Sequence, residues 1–199
     1  MNLSDVRNIV GWFYGSPMAV ELFETMYFDG ELKLFHLRMG EGNWESLWKF
    51  KKVIGEGSAP LYVIDGVATI PSDLVHLDSG YHRSGGENVD IEFVTDEEWT
   101  HLLAHKIDFP TADYPIGNVQ PLTIRFRPLE VKFVVLSYIT QPVSPTYAVT
   151  TTHGFLEFDE ANSTTVRWGE DDAILVIQNI LQSLNINVTQ SEIKQKAKQ

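Results

Sequence analysis

The chain has 199 residues, 43% hydrophobic and 21% charged, an ordinary balance for a folded protein with a sizeable core. It has no cysteine, which excludes a disulfide framework, a thiolate zinc site, an iron–sulfur cluster and a cysteine nucleophile. Fifteen basic residues against 27 acidic ones leave a net charge of −12, which repels nucleic acid and anionic membranes at long range and argues against sequence-specific DNA binding.

The start, Met1-Asn2-Leu3-Ser4-Asp5, lacks the basic-then-apolar pattern of a secretory leader. No run of about 18 apolar residues occurs; Phe133 to Leu136 and Ala173 to Ile177 are typical of the unbroken stretches. A soluble protein at home in a reducing compartment is expected. The first third reads as mainly helical. Ser16-Pro17 starts a helix over Met18 to Tyr27, with Asp29-Gly30 as its stop. Glu31 to Leu37 fits helix or strand. A second helix is expected over Trp44 to Ile54, ended by Gly55.

The texture changes at Gly55-Glu56-Gly57-Ser58-Ala59-Pro60. Leu61 to Ile64 and Val67 to Ile70 then flank Asp65-Gly66, which predicts a β-hairpin. Asn88 to Val94 reads as a strand with Val89, Ile91 and Phe93 on one face. Thr95 and Glu98 have capping-box spacing at the start of a short helix. A stretch with several prolines runs from Phe109 to Pro121, followed by strand candidates at Leu122 to Phe126, Val131 to Ile139, Tyr147 to Thr151 and Thr164 to Trp168. Ala173, Val176, Ile177, Ile180, Leu181 and Leu184 make one apolar helix face behind an acidic first turn. The box Thr189-Gln190-Ser191-Glu192 opens a last, very polar helix, expected to order against a partner because it is marginal alone. The expectation is an α+β fold: N-terminal helices, a mostly antiparallel β-sheet and C-terminal helices. The regions are a mainly helical 1–58, a β-rich core over 59–169, and C-terminal helices with a polar tail over 170–199, all in one domain.

The search for chemistry returns few candidates. His101 and His105 lie four apart on a predicted helix, one turn after Glu97, a spacing that suits zinc. The HExxH pattern is absent, and a polar helix face is the preferred reading. His76, Asp78 and His82 cluster in Val75 to Arg83, a loop or strand end, with no further partner to complete a site. His153-Gly154 reads as a turn. Gly40-Glu41-Gly42, Gly55-Glu56-Gly57 and Ser84-Gly85-Gly86 match no phosphate cradle and read as loops. Glu170, Asp171 and Asp172 are explained by their place at a helix start. Arg125 and Arg127 share one strand face, where they meet a neighbouring subunit's carboxylate or solvent. Asn162-Ser163-Thr164 and Asn187-Val188-Thr189 fit the glycosylation pattern, but no leader brings them to a lumen. Lys194, Lys196 and Lys198 are the concentrated basic segment. No catalytic, cofactor-binding or metal residue is assigned.

Several segments in order carry a resemblance. They are Asp65-Gly66-Val67-Ala68-Thr69-Ile70-Pro71-Ser72-Asp73-Leu74, Thr95-Asp96-Glu97-Glu98-Trp99, the prolines up to Pro115-Ile116-Gly117, and Leu136-Ser137-Tyr138-Ile139-Thr140-Gln141-Pro142-Val143-Ser144-Pro145. Phe158-Asp159-Glu160-Ala161-Asn162-Ser163 and Trp168-Gly169-Glu170-Asp171-Asp172 with a hydrophobic helix complete them. The series, over about Leu61 to Lys196, resembles structural ring proteins of tailed bacteriophages, particularly short-tailed crAss-like phages. The helical first third matches only in general character.

The resemblance implies a non-enzymatic virion protein of the neck or tail, made in the host cytoplasm. It implies a closed ring of about a dozen copies that contacts the portal and neighbouring tail or ring proteins. DNA would pass through an acidic lumen without being gripped. No cofactor and no membrane contact are implied. The rival expectations are a soluble protein-binding module or assembly chaperone, with a concave apolar pocket, and a metal-dependent enzyme using His101 and His105.

Overall fold

The computed structural model describes residues 1–56, 61–84, 86–105, 109–153 and 155–198. Helices α1 (Leu3–Tyr14), α2 (Val20–Gly40) and α3 (Trp44–Leu47) lead, followed by a 3-10 turn at Trp48–Phe50. Strands β1 (Lys51–Ile54), β2 (Leu61–Tyr62), β3 (Val67–Thr69), β4 (Leu74–Ser84), β5 (Glu87–Asp90) and β6 (Glu92–Phe93) come next. Helix α4 (Asp96–Ala104) precedes β7 (Ile116–Val119), β8 (Thr123–Arg127) and β9 (Phe133–Thr140). Strands β10 (Val149–Thr152) and β11 (Phe155–Phe158) and helices α5 (Glu170–Ser183) and α6 (Gln190–Ala197) complete the order. Helices at both ends and antiparallel-rich sheets between them make an α+β fold. The chain divides into two compact units: residues 1–50 with 141–199, and residues 51–140.

The first unit is a helical assembly around α5. Asn2 and Asp5 form a capping box that starts α1, and Leu3, Val6, Ile9 and Val10 give it a buried face. Helix α2 is longer than its sequence suggests. It runs through Asp29-Gly30 and takes in Glu31 to Leu37, and its N-cap is Ala19, without a side-chain cap. Gly30 is not a stop but a place of close approach. A Cβ there would lie 3.1 Å from Ile180 Cγ1 and from the Val176 carbonyl oxygen. Asn179 Nδ2 donates to the Gly30 carbonyl at 3.2 Å across the same contact.

The expected apolar face of α5 is buried, with Ala173, Val176, Ile177, Ile180 and Leu181 in the core. Its acidic first turn is held by Arg38 on Asp172 (2.6 Å) and Lys194 on Asp171 (2.6 Å). Helix α6 has both halves of its Thr189–Glu192 capping box. It packs on α1 and α5 of its own chain with Ile193 fully buried, so its order needs no partner. Thr164 to Trp168 is not a strand; Trp168 is instead a buried anchor of this unit.

The second unit contains two sheets. One has the order β1-β9-β4-β5, with β2 also pairing β9; the other has the order β3-β8-β7-β6. All pairings are antiparallel except β6 with β7. Residues of both sheets, including Ala68, Ile124, Phe126, Val134 and Leu136, share one hydrophobic core.

The expected helix over Trp44 to Ile54 stops early. Lys51 to Ile54 is strand β1, paired with Leu136 to Ile139, because a partner far along the chain overrides local helical preference. The Asp65-Gly66 turn is present, with φ of 51° and 77° at its two central residues. Its flanking strands pair elsewhere: β2 with β9 and β3 with β8, leaving only an Ile64–Val67 bridge. The turn is therefore a corner between sheets rather than a hairpin. Asn88 to Val94 likewise splits into β5 and β6, which lie in different sheets, with buried Ile91 between them.

Gly55 (φ 98°) crosses β9 so closely that a Cβ would fall 2.1 Å from the Val134 carbonyl oxygen. Residues 57–60 of the following loop, Gly85 of the Ser84-Gly85-Gly86 segment and Gly154 of the His153-Gly154 turn lie outside the described residues.

Candidate interaction surface

His101, His105, Asp78, His82, Arg125 and Arg127 each have a partner within the chain. Helix α4 carries His101, and His105 is its C-cap. Their rings stack, with centroids 4.0 Å apart and an interplanar angle of 21°. His105 Nδ1 lies 2.9 Å from the His101 carbonyl oxygen, so the ring closes the helix end. Among the described residues no group of three or more His, Asp or Glu side chains is placed to hold a metal ion.

His76, Asp78 and His82 all lie within the 11-residue strand β4, not in a loop or at a strand end. In a straight strand the two histidines would stand roughly 20 Å apart, and bulges at Leu74/His76 and Leu77/Ser79 turn the intervening residues. Asp78 accepts an ion pair from Lys51 at 2.7 Å, which holds its carboxyl below the usual range. His82 is buried, with Nε2 2.8 Å from the Ala112 carbonyl oxygen. The three do not converge.

Arg125 and Arg127 share a face of β8 as expected, and their partner is within the chain. Both guanidinium groups lie over the ring of Trp99 on α4, at 5.4 and 5.7 Å. Arg125 also donates to Asp96 (3.0 Å) and to the buried Asn118 (2.8 Å). Gln120 donates to Asp96 at 2.8 Å, and Asn118 Nδ2 donates to the Val94 carbonyl at 3.1 Å. This network fastens α4 to the sheet.

The first unit contains one buried carboxyl group, Glu31, among the described residues; it is 5% exposed and accepts from Trp168 Nε1 at 3.0 Å. Burial pushes it up to about 7, against lowering by the Trp168 hydrogen bond and the Arg167 charge. Tyr27 beside it is pushed far above its ordinary range by burial and by the Glu31 charge.

Two surfaces among the described residues carry exposed apolar side chains on strands. One is the β10–β11 ribbon, a two-stranded sheet whose residues pair only with each other among the described residues. Phe155 is 74% exposed and Leu156 75%. Phe158 is the residue of β11 held back, 4.8 Å from the Tyr147 ring. The other is a groove of about 630 Å³ on the outer face of the five-stranded sheet, lined by Gly55, Glu56, Tyr62, Tyr81, Arg83, Phe133 and Val135. Tyr62 is 65% exposed at its wall, and Tyr81 donates to Glu56 at 2.9 Å.

The sequence reading missed both surfaces. Alternating Phe155 and Glu157 gave no cue to exposure, and the groove is assembled from β2, β4 and β9, far apart in the chain. Among the described residues no helix is long and apolar enough to cross a membrane. No protein-family model matches the chain, and no curated protein matches it.

Proposed function

We propose that the chain is a non-enzymatic structural subunit of an oligomeric ring in the neck or tail of a short-tailed bacteriophage, joining portal to tail and lining the DNA channel. The observation that supports self-assembly best is the β10–β11 ribbon. An isolated two-stranded ribbon is marginal in water, and this one exposes Phe155 and Leu156 beside strand edges that are unpaired among the described residues. Edges and apolar side chains of this kind are what a neighbouring chain covers by strand addition. The phage assignment rests on the ordered segments described above, and the net charge of −12 suits a channel that must not hold DNA phosphates.

Native mass spectrometry of the purified protein across a concentration series tests the reading. A discrete closed oligomer, of about a dozen copies as the resemblance implies, is the expected result. A monomer at every concentration counts against self-assembly. It would favour the second reading, a soluble protein-binding module or assembly chaperone, for which the groove at Tyr62 and Phe133 is the supporting feature.

A further inference from the structure

We infer that the β10–β11 ribbon of one copy seats its Phe155–Glu157 face in the Tyr62–Arg83 groove of a second copy. The inference rests on the reading of the chain as a self-assembling subunit, and it names the contact.

The ribbon register pairs Thr152 with Phe155 and Thr150 with Glu157. Side chains alternate along a strand, so Phe155 and Glu157 share one face with Thr150 and Thr152. Leu156 and Phe158 point the other way, and Phe158 is tied to Tyr147. The Phe155–Glu157 face is thus free to meet a partner. It presents one aromatic anchor, then one carboxylate a two-residue step later, about 7 Å along the strand.

The groove has the matching order. Tyr62 is opposite Phe133, and Tyr81 opposite Val135, so these four share the sheet face that points away from Val134 and Leu136. Val135 is buried at the floor, with the aromatic rings around it. Arg83 lies one two-residue step beyond Tyr81, the same step that separates Phe155 from Glu157. Arg83 donates to Asn88 Oδ1 at 3.3 Å. Among the described residues neither Arg83 nor Glu157 is in an ion pair.

Two copies at −12 each repel at a distance, so a stable contact needs an apolar anchor and a local pair of opposite charges. Phe155 over Val135 beside Tyr81, with Glu157 one step on at Arg83, supplies both. Ribbon and groove are different surfaces, so the contact is head-to-tail, the class that forms rings where its rotation closes.

The absence of cysteine permits a clean test. One pool carries Thr150→Cys, on the ribbon face opposite Glu157, and a second carries Val53→Cys, on the exposed outer face of β1 next to the groove. They are mixed and treated with a short bis-maleimide. The expected result is covalent heterodimer at about ten times the yield given by Ser191→Cys with Val53→Cys, where Ser191 is an exposed position on α6. Arg83→Glu and Glu157→Arg are each expected to lower the yield about tenfold, and the double variant to restore it. Both side chains are exposed, so unchanged melting of each variant excludes misfolding as the cause.

Equal yields in the two mixtures, or loss without restoration in the double variant, overturn the inference. A closed oligomer in native mass spectrometry with equal cross-linking yields overturns this contact and leaves the ring. Selective cross-linking of a protein that is monomeric in native mass spectrometry supports the contact and counts against spontaneous ring closure.

Discussion

Replacing Glu31 with Gln makes the helical unit more stable at neutral pH and changes little in acid. Glu31 has an ordinary value of 4.5 when exposed and is pushed up to about 7 by burial. Below 4.5 it is protonated in both folded and unfolded chains, and its contribution is fully present. As pH rises from 4.5 to about 7, the unfolded chain gives up the proton while the folded chain keeps it, so stability falls. Each pH unit in that window costs about 1.4 kcal/mol, and the whole window about 3 kcal/mol.

Gln keeps an oxygen that can accept the 3.0 Å bond from Trp168 and carries no charge. Tyr27 beside Glu31 is shifted upward, away from this window. Denaturant unfolding at several pH values between about 4 and 8 measures the difference between the two proteins. The expected advantage of E31Q is near zero at the acid end and grows to about 3 kcal/mol at the neutral end. Tryptophan fluorescence of the native wild type should change around pH 7, where the folded Glu31 carboxyl beside Trp168 ionises, and that change should be absent from E31Q. An advantage that does not vary with pH, or a Gln variant that is less stable at pH 8, would refute the reasoning.

Three further outcomes are expected. Ile193→Ala should cost about 2–4 kcal/mol, because Ile193 is fully buried where α6 meets α1 and α5; calorimetry and amide exchange of α6 check this. Gly55→Ala should cost at least about 3 kcal/mol, since the new Cβ meets the Val134 carbonyl oxygen at 2.1 Å and φ is 98°; a variant that melts with wild type would contradict it. Trp99→Ala should destabilise the β unit by about 3–5 kcal/mol by emptying the space under Arg125 and Arg127. Urea unfolding measures that loss, and a change below about 1 kcal/mol would mean the arginine network is ornamental.

What was legible in the sequence was what is written locally. The boxes Thr95–Glu98 and Thr189–Glu192 and the apolar face of α5 depend on residues three and four apart, and all are present. What was hidden depended on distant partners. Strand β4, at the centre of the larger sheet, has polar residues at several positions and two bulges that break its alternation. Its identity comes from β9, as in the pairing of His76 with Ile139. Lys51 to Ile54 likewise became a strand through the same partner. Gly30 read as a stop because a sequence does not show a helix lying against that spot. Arg125 and Arg127 were correctly placed on one face, but their partner Trp99 belongs to a helix whose packing no local pattern announces. The ribbon and the groove are defined by what leaves them uncovered, and that too is a property of the whole fold.

The interrupted helical unit also imposes a timetable. Glu31 and Trp168, bonded in the finished protein, are 137 residues apart in the chain. A ribosome takes on the order of ten seconds to make such a stretch. Throughout that interval α1 and α2 exist without α5 to cover them, while the β unit between them is already complete at Thr140. A chain stopped at Thr140 should therefore resist protease over 51–140 and be cut within its first 50 residues; protection of both segments would contradict this. The ribbon that begins at Val149 emerges still later, so a nascent chain has a finished groove before it has an arm to place in another copy's.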